Sequence, residues 1–322
     1  MGKKEIIDTT AYLVDSSRHV KINDDAIRRQ AESFAQRNFV IPEWKECFPT
    51  QPLANQVELF CLANTTNFAF TNFETGEKYF TRWQGKDWSG AYGMYASVNK
   101  ALERGIPLTD PKYLATMSLE DVNKVFSEDA QIPLAEERRQ VFNEVGQILS
   151  ARGTSFTEMY KQSAGRLYNQ GRGFVERLVD TFPSFDDSTT IDGRKILFYK
   201  RAQLAPAEIQ GRLLPEGITA FEDVDELTAF ADYVLPKGMR TVGILEYSPE
   251  LAQRVDAGQL IPRESREELE IRAASIHAFD RLLRQINTQR QTPINTLHLD
   301  YAIWAEFRKQ PGKHHLTKTT NY

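Results

Sequence analysis

Cysteine is nearly absent. Cys47 and Cys61 are the only two among 322 residues, too few for a disulfide framework and not spaced as a zinc knuckle, which fits a reducing compartment. Long apolar runs are missing too. No stretch of roughly eighteen apolar residues occurs, and the opening MGKKEIIDTTAYLVDSS offers none for a signal peptide. Gly2 does not begin a myristoylation motif, because position six is Ile6 rather than Ser or Thr. A soluble cytoplasmic protein is expected. Positive charge is not in excess either: 40 Lys and Arg stand against 44 Asp and Glu, a formal charge of −4. Such a chain lacks the basic footprint that phosphate-backbone binding needs. Neither nucleic acid nor membrane is expected as a direct partner, and any bound anion should be small. The 41% hydrophobic and 26% charged content excludes a largely disordered chain, and the length suffices for a substantial core.

Generic enzyme motifs are missing as well. There is no Walker A loop, dinucleotide fingerprint, HExxH or nucleophile elbow. The histidines His19, His277, His298, His314 and His315 show no metal-ligand spacing, and the adjacent His314-His315 reads as a solvated pair. Sustained heptads are absent, so a monomer is expected.

What is present is mostly helical periodicity. Asp24 or Asp25 can cap a segment whose Ile27, Ala31, Phe34 and Ala35 share one face. Residues 67–73 alternate, Glu74 to Glu77 supply turn chemistry, and Lys78 to Trp83 resume with aromatic residues, which predicts a hairpin. Helices follow over Ala91 to Arg104, after a Ser118/Asp121 capping box, and behind Pro133 read as a first-turn proline. FVERLVDTF stops before Pro183, Asp192-Gly193 marks a tight turn, and KILFYKRAQLAPAEIQGRL begins as a strand and ends as a helix. DVDELTAF reads as helical, Pro236 opens another helix, and SPELAQRVDA ends at Gly258. From Glu264 to about Gln289, Leu269, Ala273, Ile276, Phe279, Leu283 and Ile286 form one stripe, and a last helix covers Leu297 to Phe307. No repeat or Pro/Gly/Ser linker interrupts the chain, so a single mainly α domain over residues 1–322 with a small β-hairpin element is expected. The charge-rich AEERRQ and ESREELE read as solvated helix faces.

Two carboxylates stand where the pattern wants apolar residues. Asp232 lies within Thr228-Ala229-Phe230-Ala231-Asp232-Tyr233-Val234-Leu235-Pro236. A buried charge there must be paired or used, unless Asp232 serves as the N-cap of the following helix. Asp300 has Leu297, Tyr301 and Trp304 at helical steps, which puts it on a buried stripe, as a ligand contact or a structural ion pair. In Phe198-Tyr199-Lys200-Arg201-Ala202-Gln203 two adjacent cations sit beside aromatic residues, either as surface cations or as a phosphate site. The four Trp, 12 Tyr and 19 Phe serve mainly core packing, with stacking on a planar ligand the sharper alternative.

The segments WKECFPTQP, NTTNFAF, GKDWSGAYGMYASVNKALERGIPLT, PLAEERRQVFNEVGQIL, FPSFDD, LFYKRAQL, LTAFADYVLP, ELEIRAASIHA and LDYAIW, in this order, resemble the queuosine salvage family of queuosine 5'-phosphate N-glycosylase/hydrolases. The resemblance runs from about residue 10 to Tyr322. It implies a helical fold similar to helix-hairpin-helix DNA glycosylases. It also implies cleavage of the N-glycosidic bond of queuosine 5'-monophosphate to release queuine, without metal or organic cofactor. Asp232 in FADY would be nucleophile or transition-state stabiliser, with Phe230 lining the base pocket. Asp300 and Tyr301 of LDY would hold the base, and Phe48 would contact it where some members have His. Tyr199, Lys200 and Arg201 are candidates for the substrate, the two cations for its 5'-phosphate. Where some relatives carry LDYxLWD, this chain has Ala305 and then Glu306. The third carboxylate contact is therefore lost, replaced by Glu306, or supplied from elsewhere.

The chemistry suits these residues. Breaking an N-glycosidic bond builds positive charge on the ribose, and a fixed, poorly hydrated carboxylate stabilises it. Queuine is a 7-deazaguanine without the N7 that many purine glycosylases protonate, so help for the leaving base comes from elsewhere. Its guanine-like edge presents adjacent N–H donors that one carboxylate can accept in parallel. The competing readings are a non-catalytic protein that captures queuine or its nucleotide, and a DNA glycosylase, which the charge balance opposes.

Overall fold

Apolar stripes closed by side-chain caps build most of the architecture. In the computed structural model, which describes residues 2–43, 46–48 and 53–322, fourteen α-helices and six short strands occur among the described residues. The chain is mainly helical. Its strands form three antiparallel pairs of two. No helix among the described residues is long and apolar enough to cross a membrane.

The chain groups into two compact units, each made of separated segments. One comprises Met1–Pro42, Asp187–Gln203 and Asp223–Lys318, the other Glu43–Asp186, Leu204–Glu222 and Thr319–Tyr322. The spine of the first is the helix Arg266–Asn287, capped by Ser265 and with its whole predicted stripe buried. Helices Lys3–Asp15 and Asp24–Ala35 pack against this helix. The cap of the latter is Asn23, whose Oδ1 accepts the Ala26 N–H at 2.9 Å, rather than Asp24 or Asp25. The two aspartates instead add negative charge to the first turn, where the helix dipole favours it. The Asp192-Gly193 turn forms as expected, joining strands Ser188–Ile191 and Arg194–Leu197.

Helices Val234–Thr241 and Thr296–Phe307 also belong to the first unit and pack against each other. Gly238 permits their approach: a Cβ there would lie 2.7 Å from Phe307 Cδ2 and 3.0 Å from Ile303 Cγ2. Phe307 is itself buried, so the ring has little freedom to give way.

In the second unit the expected hairpin is reduced to its tip. Strand Phe80–Trp83 pairs with Lys86–Ser89 through a Gln84-Gly85 turn with both φ positive, while the upstream segment meets the chain before that strand at the bridge Thr71↔Lys78, with the Tyr79 N–H donating to the Phe70 carbonyl and the Asn72 N–H to the Glu77 carbonyl, both at 2.8 Å. Ala69 adopts φ 48°, and the carbonyls of Thr66, Phe68 and Ala69 accept from Arg138. Their acceptors are spent on a guanidinium instead of a ladder.

Arg138 also corrects the reading of AEERRQ as a solvated face, since it is 0% exposed and its guanidinium lies 4.4 Å from the Phe68 ring centroid. The same holds for ESREELE, whose Glu268 and Glu270 are buried. Pro133 does not open the following helix: Leu134 intervenes at φ 54° and the helix is Ala135–Arg152. DVDELTAF yields only a 3-10 turn, Val224–Glu226. Beyond it the Leu227 carbonyl accepts from Thr296 Oγ1 at 3.0 Å and the Thr228 N–H donates to Gln203 Oε1 at 2.9 Å. Side chains thus take the partners that a helix would use itself.

Candidate active site

The first unit gathers seven of the eight predicted site residues: Tyr199, Lys200, Arg201, Phe230, Asp232, Asp300 and Tyr301. They are organised by an irregular segment, Leu227 to Asp232, whose backbone is pinned residue by residue. Thr296 and Gln203 hold its start. The Phe230 N–H donates to Asp300 Oδ2 at 3.0 Å, and the Ala231 carbonyl accepts from Arg272 Nε at 3.3 Å. Two tight turns, Ala231 N–H to the Ala229 carbonyl and Asp232 N–H to the Phe230 carbonyl, then bring out Asp232.

Asp232 is half-buried. Its Oδ1 accepts the N–H groups of Val234 at 2.7 Å and Leu235 at 3.0 Å. The helix-cap reading and the functional reading therefore apply to different oxygens of one carboxylate. Oδ2 receives no hydrogen bond from any described residue. Burial raises the pKa of this group, while Lys200, the two capping N–H groups and Arg272 pull it back. Asp300 is 8% exposed, on the helix Thr296–Phe307. Burial lifts its pKa to about 8, against the lowering effect of the Phe230 N–H and with added repulsion from Asp232. Lys200 acts on both carboxylates. Neither Asp300 nor Asp232 forms an ion pair within 4 Å among the described residues, so the structural ion-pair reading of Asp300 is not what the geometry provides.

Lys200 begins the helix Lys200–Leu213. It and Arg201 are buried, which corrects the surface-cation alternative. Tyr199 stands just before them at φ 53°, left-handed for an aromatic residue, and its carbonyl starts the helix by accepting the Gln203 N–H at 3.0 Å. Such backbone costs on the order of 1 kcal/mol and persists only where surroundings enforce it. Asp187 enforces it here: its carbonyl accepts from Phe198 and Tyr199, and its Oδ2 accepts the Lys200 N–H at 3.1 Å.

Aromatic walls flank the carboxylates. Phe230 is buried, Tyr301 is half-buried and stacks with Trp304 at 6.2 Å, and Tyr233 stacks with His314 at 4.2 Å. The solvated reading of the histidine pair fails. His315 is 2% exposed, its pKa lowered by burial to about 3, and His314 Nδ1 contacts the His315 carbonyl at 2.8 Å. Glu306, a candidate for the missing third carboxylate, accepts from Arg37 at 2.7 Å.

Phe48 belongs to the second unit, buried among rings: Tyr95 at 3.9 Å, Phe60 at 5.7 Å and Tyr92 at 5.7 Å between centroids. Below them Glu208 accepts from Tyr95 at 2.5 Å and from Asn64 at 2.6 Å. The neighbouring residues 44, 45 and 49–52 of WKECFPTQP lie outside the described residues. Sequence reasoning missed Asp187, Gln203 and Arg272. Their only signal was membership of the family-like segments FPSFDD, LFYKRAQL and ELEIRAASIHA.

The family model described as queuosine salvage protein matches residues 48–322. A protein of Sphaerobacter thermophilus named queuosine 5'-phosphate N-glycosylase/hydrolase is 33% identical over 98% of this chain and 97% of its own length. One of the same name from Mus musculus is 34% identical over 92% and 91%, and one from Schizosaccharomyces pombe 27% over 93% and 90%.

Proposed function

This chain belongs to the queuosine salvage protein family, and from that premise we propose that it hydrolyses the N-glycosidic bond of queuosine 5'-monophosphate, releasing queuine for salvage into tRNA. One observation carries the reading to these residues: among the described residues Asp232 keeps one carboxylate oxygen without a donor, beside a second buried carboxylate that accepts a single N–H. An acceptor held in place by its neighbours yet left without a donor is free to meet a ligand.

In the reaction the bond from C1' to the base nitrogen breaks and its electron pair leaves with queuine. Positive charge spreads over C1' and the ring oxygen, and Asp232 Oδ2 stabilises it in a poorly hydrated setting. The oxygen of water ends on C1' and a proton reaches the departing base. Asp300 accepts the adjacent N–H donors of the guanine-like edge, which selects against adenine. Phe230 and Tyr301 hold the plane of the base. Lys200, with Tyr199 and Arg201 beside it, meets the 5'-phosphate, whose binding energy orients the sugar. Lys200 also favours the ionised form of Asp232.

The chain serves as one cytoplasmic, monomeric domain over residues 1–322. Its support is the segmented make-up of the two units, with the helix Lys200–Leu213 running unbroken across the boundary at Gln203 and Leu204. The architecture is of the helix-hairpin-helix DNA-glycosylase kind, supported by its helical content and short hairpins. The test is incubation of the purified protein with queuosine 5'-monophosphate and with unphosphorylated queuosine, following free queuine by chromatography. Stoichiometric binding without turnover would overturn the hydrolase reading.

A further inference from the structure

We propose that the buried Arg272–Asp187 pair is a positioning device that locks the backbone carrying Asp232 and the backbone carrying Lys200 into one register. The inference rests on the hydrolase reading. Arg272 projects from the spine helix Arg266–Asn287 and is buried. Its Nη1 and Nη2 donate to Asp187 Oδ1 at 2.9 Å and Oδ2 at 2.5 Å, a two-pronged contact that fixes the guanidinium plane. The third donor, Nε, reaches the carbonyl of Ala231, the residue directly before Asp232. Asp187 Oδ2 also accepts the Lys200 N–H. One fork therefore touches the Asp232 segment directly and the Lys200 turn through a single carboxylate. The Phe198 ring, 3.9 Å from the guanidinium carbon, closes the remaining face.

Stability alone does not account for this arrangement. A buried ion pair recovers little more than its desolvation cost, and apolar residues of similar volume would hold a core as well. What the fork adds is directional constraint in three places at once. Lysine cannot reproduce it, being a point charge on a flexible stem. The charged groups facing Asp232 are Lys200 at the head of its helix, Arg272 on the spine and Asp300 on the helix Thr296–Phe307. Arg272 itself faces Asp187, Glu268 and His315.

The test is Arg272→Lys, measured for queuine release from queuosine 5'-monophosphate across the acid and neutral range, for free-queuine binding by calorimetry, and for thermal melting. We expect kcat to fall about 100-fold while KM and the queuine Kd stay within about threefold, the pattern of a misplaced reacting group. The acid limb of kcat should move to higher pH, because Asp232 loses a properly placed positive neighbour. Phe198→Leu keeps both charges and the whole fork and should show the same pattern at about tenfold. It decides the matter if Arg272→Lys does not fold. A folded variant with kcat within about threefold of wild type, or one that loses queuine binding in proportion to kcat, would overturn the proposal. Wild-type protein that leaves the nucleotide intact would instead overturn the hydrolase reading, a result visible before any variant is made.

Discussion

Glu270 and Asp300 are both buried carboxylates of the same unit, yet the protein treats them differently. Glu270 accepts from Ser17 Oγ at 2.8 Å, the N–H groups of Arg18 at 3.0 Å and His19 at 2.7 Å, and Arg266 Nε at 2.9 Å. Asp300 accepts the Phe230 N–H. The first has its full set of donors, tying the turn after helix Lys3–Asp15 to the spine helix. The second has room for two or three more hydrogen bonds. Burial by itself does not mark a functional carboxylate; the shortfall of donors does. Asp232 stands between the two, one oxygen accepting two helix N–H groups and the other without a donor among the described residues.

The sharpest way to test that contrast is to remove the open oxygen. Asp232→Ala should slow queuine release by about 1,000-fold or more while binding of free queuine persists, as expected for loss of charge stabilisation in the transition state. Normal release by this variant would sink the assignment. Glu270→Gln should do the reverse, costing about 3 kcal/mol of stability through lost charge-assisted bonds with kcat unchanged, read by denaturant unfolding beside the activity assay. Asp300→Asn presents an amide donor to a donor edge, so kcat/KM should drop about 100-fold with folding retained. A fall in stability like that of Glu270→Gln would make Asp300 structural after all.

The smallest expected effect concerns pH. Asp300 has its pKa lifted from 3.8 to about 8, so the folded state holds a proton that the unfolded state has lost. Its cost to stability is absent below the lower value, accumulates as pH rises between the two, and is complete above about 8. Because queuine's donors require the ionised form, binding should tighten by up to about tenfold per pH unit as the solution approaches that upper value, then level off. Calorimetry at several pH values, with Asp300→Asn as the flat control, checks both slope and sign.

The carboxylates of the site were legible because a charge inside LTAFADYVLP or on the LDY stripe conflicts with its surroundings. The spine helix, the Ser118/Asp121 capping box and the Asp192-Gly193 turn were legible because their signals are local. Arg138, Glu268, Glu270 and Arg272 were not, since burial of a charge depends on partners distant in sequence: Asp187 lies 85 residues from Arg272. The expected hairpin is shortened to its tip for the same reason. Alternation in residues 67–73 is genuine, but a distant guanidinium claims the carbonyls. His315 is buried through its position beside Leu316, which bridges to Leu260, a pairing no window around two histidines reveals.

Gly238 has a consequence beyond packing. It bears no reactive atom, yet it lies in the helix that Asp232 caps and sits against the helix that carries Asp300. Adding one methyl group would wedge these two rods apart, so the spacing between the two acids is governed by a hydrogen atom several residues from either. Anyone reshaping this pocket for a bulkier base has in that residue a spacer to adjust without altering a single group that meets the substrate.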